Sequence, residues 1–283
     1  MVWPENLIEE LAYRRCIIFI GAGISATAKN ASGETPVIWE DFLKKAVSLI
    51  GNQNPEDREF IDLMIKQENY LMALQAISDL VDKGRYGKFI YDVFEKPNFG
   101  FSDVHEAIKS IDSKILITTN FDNIYDRLCN VAGYSTFTYR DTTSIINKIK
   151  SPTNIIIKAH GTINEPDHII FTAKQYYEAQ KNYPNFYELL RSLFLTHTVL
   201  FLGYSLSDPD INLILQNTSN TSSELAPHYI LVKKGISNHK ITHWNETYNV
   251  VCLEGGNTYD EVNKKIIELD DLVRELREER QLP

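Results

Sequence analysis

The chain has 283 residues, 43% of them hydrophobic, and a net charge of −9, which suits one large α/β domain with a buried core. The negative charge argues against general affinity for nucleic acids or anionic membranes, and no apolar segment is long enough to cross a bilayer. The three cysteines lack paired metal spacing and the amino terminus lacks a signal-peptide pattern, so we expect a cytoplasmic protein without a bound metal.

The first strong pattern is the segment 16–25, where a β-branched apolar run ends at Gly21-Ala22-Gly23. An apolar run bounded by glycine predicts a strand buried on both faces. The glycines permit a tight turn and close approach of a ligand, and Ser25 is expected to cap a following helix. Because the amino end of a helix attracts phosphate, we predict a nucleotide pyrophosphate at this turn. The alternative is a plain strand-turn-helix junction, since the full dinucleotide fingerprint is missing.

The segment 57–95 shows helical periodicity and no strand pattern. We therefore predict an all-helical insert over about 52–98 within an α/β core. Ser102 is expected to cap the helix that follows.

Further apolar segments predict the remaining strands of the core. They are 115–122, 154–161, 168–172, 199–205, 229–232 and 250–253. A final helix is expected over about 260–280. Strands that alternate with helices predict a parallel sheet. The predicted fold class is therefore α/β, a Rossmann-like parallel sheet with helices on both faces and a helical insert. The whole chain, 1–283, is expected to form one domain.

Ligands of such sheets bind beyond the carboxyl ends of the strands. That rule places four polar or glycine-rich strand endings at one edge of the predicted sheet, and we predict a site there. The endings are Gly21 to Gly23, Asn120 to Asp122, His160 with Gly161, and Gly203 to Ser205.

The side chains at this edge suggest a base and hydrogen-bonding partners for a nucleotide. His160 is the candidate base, because imidazole titrates near neutral pH. The Asn120 amide can orient ribose hydroxyls or a water, and Asp122 can accept a hydrogen bond from a carboxamide. Ser205 and Asp208 can hydrogen-bond a phosphate or a ribose. Helix capping is the alternative role for Asp122, Ser205 and Asp208.

The order of these motifs resembles the sirtuin family. The motifs are Gly21-Ala-Gly-Ile-Ser25, Thr118-Thr-Asn-Phe-Asp122, His160-Gly161 and Gly203-Tyr-Ser205. The resemblance implies a Rossmann-like NAD-binding core. It implies that the residues that hold the pyrophosphate are Gly21, Ala22, Gly23 and Ser25. It also implies that Asn120 and Asp122 bind the nicotinamide ribose and carboxamide, that His160 is the catalytic histidine, and that Gly203 and Ser205 line the adenosine side.

The chain departs from the deacylating sirtuins in two respects. They carry a four-cysteine zinc ribbon, which three cysteines cannot form, and a Pro-Asp-Phe-Arg stretch where this chain has Trp39-Glu-Asp-Phe-Leu43. The sequence is more similar to bacterial sirtuin-like enzymes of antiphage defence, in which, the resemblance implies, water is the acceptor and NAD is destroyed. We therefore predict a metal-independent NAD⁺ hydrolase that releases nicotinamide and ADP-ribose. His160 would be its base, and Asn120 would position the water and the ribose.

The resemblance also implies that this toxic activity is gated by assembly or by a partner. We expect a homo-oligomer and consider a hexameric ATPase as the partner. The final helix carries an apolar stripe that predicts either packing on the chain's own sheet or contact with another chain. The stripe consists of Val262, Ile266, Leu269, Val273 and Leu276.

Three other functions stay open from the sequence. The chain could be a sirtuin-type protein deacylase, against which the missing zinc ligands argue. It could be a catalytically inactive sensor that binds NAD or ADP-ribose and regulates a partner. The presence of Asn120 and His160 argues against a sensor, because a sensor needs only the phosphate turn. It could also be a structural subunit.

Overall fold

The computed structural model of the protein describes residues 1–37, 39–51, 55–221 and 225–282. Within these ranges, seven strands form one parallel sheet in the order β3-β4-β2-β1-β5-β6-β7. The strands are β1 (Cys16–Ile20), β2 (Ile115–Thr118), β3 (Ser135–Thr138), β4 (Ile155–Lys158), β5 (Thr198–Leu202), β6 (His228–Lys233) and β7 (Val250–Gly256).

The helices fill the connections between the strands. They are α1 (Glu5–Ala12), α2 (Ala22–Ser25), α3 (Trp39–Val47), α4 (Pro55–Lys66), α5 (Tyr70–Leu80), α6 (Lys83–Phe94), α7 (Asp103–Ser110), α8 (Ile124–Asn130), α9 (Thr142–Ile149), α10 (Ala173–Asn182), α11 (Pro184–Thr196), α12 (Pro209–Ser219), α13 (Asn238–Tyr248) and α14 (Tyr259–Arg280). The predicted α/β, Rossmann-like fold class is confirmed.

The central strands are apolar and buried along their whole length, as in β1 and β5. Such continuous apolar runs are typical of strands with both faces covered. In β1, Ile18 pairs with Leu116 of β2 on one side and with Leu200 of β5 on the other. The carboxyl end of β1 therefore lies between those of β2 and β5.

Helices cover both faces of the sheet. On one face, Phe19, Ile157 and Phe201 belong to an apolar cluster that includes residues of α9 to α13. On the other face, Ile18 and Leu200 belong to a cluster with residues of α1, α7, α8 and α14. Successive residues of a strand point to opposite faces, so each central strand contributes to both clusters.

The apolar stripe of α14 belongs to this second cluster. Val262, Ile266, Leu269 and Val273 are buried there, and Leu276 packs against them. The stripe is therefore part of the chain's own core, and it is not a surface for contact with another chain.

The helices α3 to α6 stand over the carboxyl edge of the sheet. Their apolar cluster contains Phe42 and Leu74 and also includes Phe121 and Phe171, which follow β2 and β4. The Phe171 ring centroid lies 5.0 Å from those of Phe42 and Phe121. This contact fixes the helical layer beside the strand endings. The first residues of the predicted insert, 52–54, lie outside the described residues.

The predicted short strand at 168–172 is wrong. A 3₁₀ turn with Pro166 at its start covers Pro166–His168, and the apolar residues Ile169 to Phe171 are buried without joining a strand ladder. Burial under the helical layer produced the apolar pattern that resembles a strand. The edge strand β3 was not predicted, because its residues Ser-Thr-Phe-Thr are only half-buried and lack an apolar run.

Two histidines inside the core predict a loss of stability in mild acid. His105 and His228 are 1% and 5% exposed, and burial lowers the pKa of each to about 4. An unfolded chain holds its histidines near a pKa of about 6.5, so it binds more protons than the folded chain below that pH. The stability that the two neutral histidines contribute is therefore complete above pH about 6.5 and decreases as the pH falls towards 4. At pH 5 the loss is about 2 kcal/mol per histidine.

Urea unfolding at pH 7.5 and pH 5 measures this loss. The variant His228→Gln keeps an acceptor for the backbone N–H of Val199, which His228 Nδ1 accepts at 3.1 Å. We expect the variant to lose about 2 kcal/mol less than the wild type between the two pH values. An equal loss in both proteins would contradict the assignment to His228.

Candidate active site

The turn after β1 packs backbone to backbone against the turn after β5. The N–H of Gly23 donates to the carbonyl of Gly203 at 2.9 Å. A β-carbon on Gly21 would lie 2.6 Å from the Gly203 oxygen, and one on Gly203 would lie 2.5 Å from the nitrogen of Ile24. Gly203 also has φ +58°. These glycines are required by the contact between the two turns, and Ala22 and Gly23 remain exposed on the outer surface.

Ser25 does not cap a helix, so the capping role predicted for it is wrong. The glycine turn leads directly into α2, for which Gly21 is the N-cap and Ser25 the last residue. The Ser25 hydroxyl instead donates to Asp122 Oδ2 at 2.7 Å and accepts from Asn120 Nδ2 at 2.9 Å. Ser25 therefore joins the ending of β1 to that of β2.

Asn120 and Asp122 are held by the backbone as well as by Ser25. Thr118 Oγ1 accepts from the backbone N–H of Asn120 at 2.9 Å, and Asp122 Oδ1 accepts from the N–H of Ile124 at 3.0 Å. Asp122 thus supports the start of α8, as the capping alternative states, while its other oxygen binds Ser25. The result is an ordered chain of donors and acceptors from Asn120 through Ser25 to Asp122, with Asn120 and Asp122 only partly buried.

His160 lies in a second hydrogen-bonded group, with Asp208 and Tyr176. Its Nε2 atom is 3.2 Å from Asp208 Oδ2, and the Tyr176 hydroxyl donates to the same oxygen at 2.6 Å. The His160 and Asp208 side chains are each 8% exposed. Gly161 follows with φ +82°, and a β-carbon there would lie 2.5 Å from the carbonyl oxygen of His168. The loop after β4 therefore holds the imidazole against α10 and α12.

The structure brings these groups to one edge of the sheet. Asn120 and His160 each lie two residues beyond the paired residues Thr118 and Lys158, so they follow neighbouring strands. Asp208 comes from the loop after β5. Ser205 is exposed in that loop, where its hydroxyl bonds to a nearby serine side chain at 2.7 Å.

Lys158 was not among the residues predicted for the site. This lysine is 1% exposed, and its Nζ lies 2.5 Å from Asp126 Oδ2 and 2.5 Å from the carbonyl oxygen of Asp122. Burial raises the pKa of Asp126, against the opposing effect of Lys158. A lysine in the apolar strand that leads to His160 indicates a buried partner, because a buried charge needs one.

An open cleft of about 380 Å³ lies elsewhere, at the amino edge of the sheet, where residues such as His197, His228 and Asn249 line it. Ligands of parallel sheets bind at the opposite edge, so we place the candidate site at the carboxyl edge.

Among the residues that the structure describes, no group of three or more His, Cys, Asp or Glu side chains could hold a metal ion. No helix within the described ranges is long and apolar enough to cross a membrane.

The parallel sheet, the glycine turn and the polar strand endings define a Rossmann-like α/β domain with a candidate site at its carboxyl edge. Residues 114–253 match the family model described as a SIR2-like domain. These residues therefore resemble a SIR2-like domain, and the resemblance to the sirtuin-like family is confirmed.

Curated relatives are similar to most of this chain. "Defense-associated sirtuin 2" of Bacillus subtilis is 24% identical over 216 residues, 75% of this chain and 20% of that protein. "NAD(+) hydrolase ThsA" of Enterococcus faecium is 23% identical over 276 residues, 95% of this chain and 52% of that protein. The ThsA protein of Bacillus cereus (strain MSX-D12) is 22% identical over 237 residues, 81% of this chain and 45% of that protein. The chain thus spans about half, or less, of these relatives.

Proposed function

We propose that this chain hydrolyses NAD⁺ to nicotinamide and ADP-ribose. The observation that carries the proposal is the pair of hydrogen-bonded groups, Asn120–Ser25–Asp122 and His160–Asp208, at the carboxyl edge of a SIR2-like domain. Relatives named NAD(+) hydrolase support it.

The strand endings suggest how the dinucleotide lies across the edge. The turn from Gly21 to Ser25, including Ala22 and Gly23, would hold the pyrophosphate. Gly203 and Ser205 would line the adenosine side. Asn120 and Asp122 would face the nicotinamide ribose and carboxamide. Asp208 has no place in this arrangement, because both of its oxygens already accept hydrogen bonds within the protein.

The reaction breaks the bond between the nicotinamide nitrogen and the ribose. As in other glycosidic cleavages, positive charge develops on the ribose in an oxocarbenium-like transition state. The pyridinium ring leaves as neutral nicotinamide and needs no proton, so no acid is required on that side. Water adds to the ribose carbon and gives up a proton, for which His160 is the base. Asn120 would hold the water and the ribose in line.

We infer that the biological role is depletion of NAD⁺ in antiphage defence, in the cytoplasm. Relatives named for defence and for NAD(+) hydrolysis support this role. Such an activity has to be controlled. We propose that it is controlled either by assembly into a homo-oligomer or by binding to a partner protein, and we consider a hexameric ATPase as that partner.

The test is incubation of the purified chain with NAD⁺ in H₂¹⁸O, with separation of the products. We expect nicotinamide and ADP-ribose with one ¹⁸O atom on the ribose. NADH is the matched control, because its dihydronicotinamide is not a cationic leaving group and should stay intact. Binding of NAD⁺ without cleavage, in the chain alone and in its assembled state, would contradict the hydrolase and favour a sensor. A cyclic product without ¹⁸O would show that water is not the acceptor.

A further inference from the structure

We propose that Asp208 is a positioning residue that acts through His160, and that it does not bind the nucleotide. The catalytic part of this inference rests on the proposed NAD⁺ hydrolysis. Its structural part concerns the protonation of His160 and stands without any activity.

The oxygens of Asp208 are already used. Oδ2 accepts from the Tyr176 hydroxyl at 2.6 Å and lies 3.2 Å from His160 Nε2. Oδ1 accepts from the backbone N–H groups of Asp210 and Ile211, both at 3.0 Å. Four contacts fill the acceptor positions of a carboxylate. A ribose hydroxyl would have to displace one of them.

These contacts select one tautomer of His160. Burial raises the pKa of Tyr176 well above its usual value, so its hydroxyl keeps its proton and donates it to Asp208. The Asp208 carboxylate can only accept, so the proton of the imidazole lies on Nε2. The lone pair then lies on Nδ1, which is 3.5 Å from the Tyr176 oxygen, too far for a strong hydrogen bond. Nδ1 is therefore the atom that takes up a proton from the attacking water.

The charged and titratable groups around His160 come from three elements. Asp208 and Asp210 belong to the start of α12, Tyr176 to α10, and Tyr204 to the turn after β5, where it faces both carboxylates. Asp210 is buried as well, but its Oδ1 accepts from Gln180 Nε2 at 2.5 Å. Asp210→Asn is therefore a matched control for Asp208→Asn, because both remove a buried carboxylate from the same helix turn.

The first experiment is ¹⁵N NMR of the imidazole of His160 in the complete chain without NAD⁺. We expect the neutral ring to carry its proton on Nε2 in the wild type and in Asp210→Asn. In Asp208→Asn the new amide donates to the ring, so the proton should move to Nδ1. Asparagine still caps α12, so the variant should fold. A wild-type ring with its proton on Nδ1 would overturn the proposal, whether or not the variant folds.

The second experiment measures NAD⁺ hydrolysis by the same three proteins. Asp208→Asn should lower kcat by about 10²-fold and change KM less than about threefold, because only proton transfer suffers. A large rise in KM at unchanged kcat would overturn the inference and identify Asp208 as a nucleotide ligand. If the wild type cleaves NAD⁺ neither alone nor in its assembled state, the proposed function fails, and the NMR result still decides whether Asp208 fixes the tautomer of His160.

Discussion

Replacement of Asn120 by alanine is expected to lower kcat for NAD⁺ hydrolysis by about 10²-fold or more and to leave the fold intact. Asn120 is only partly buried, and its amide donates to Ser25, which in turn donates to Asp122. Removal of the amide takes away the group proposed to hold water and ribose in line, and a small misplacement of reacting groups costs about 10²-fold in rate. Steady-state kinetics and urea unfolding of the same preparation measure the two effects.

Asn217→Ala is the matched control for this variant. Asn217 is an exposed residue of α12, so its truncation should change neither kcat nor stability. Asn120→Asp adds a sharper comparison. It replaces the donor by a carboxylate and places a second negative group next to the Ser25–Asp122 bond. We expect it to be at least as inactive as Asn120→Ala. Full activity in Asn120→Asp would contradict a donor role for this side chain.

Much of the sheet could be predicted from the sequence because its central strands are short apolar runs that end in glycine or polar residues. The endings at Gly21 and Asn120 have this form, and the rule that parallel sheets bind ligands at their carboxyl edge places them together. The sequence could not reveal β3, because an edge strand buries only part of its side chains and Phe137 is its one aromatic residue.

The partners inside the candidate site could not be predicted in the same way. His160 follows β4 and Asp208 follows β5, and β2 and β1 lie between these strands in the sheet. Their contact depends on how the two loops turn over the edge, which no local pattern encodes. Ser25 was misassigned for a related reason. Its spacing from the glycine turn suits a helix cap, but the turn itself starts α2, and the hydroxyl is left for Asp122.

Replacement of Lys158 by methionine is expected to reduce the free energy of unfolding by about 3–5 kcal/mol, because it leaves the buried carboxylate of Asp126 without its cation. Lys158 also donates to the backbone carbonyl of Asp122 at 2.5 Å, so the loop that follows β2 loses its support as well. Lys114→Met is the matched control. Lys114 lies at the other end of the neighbouring strand, is partly exposed, and binds the carbonyls of Ser151 and Thr153. Urea unfolding should show a cost below about 2 kcal/mol for it.

The double variant Lys158→Met/Asp126→Leu separates charge pairing from support of the loop. Exchange of a buried ion pair for apolar side chains is often neutral for stability, so the double variant should regain most of the stability that Lys158→Met loses. It should not regain kcat, because the carbonyl of Asp122 still lacks its donor and the loop that carries Asn120 is no longer fixed. Recovery of both stability and kcat would show that Lys158 serves only to neutralise Asp126. Recovery of stability without recovery of kcat would show that Lys158 also fixes the position of the loop that carries Asn120.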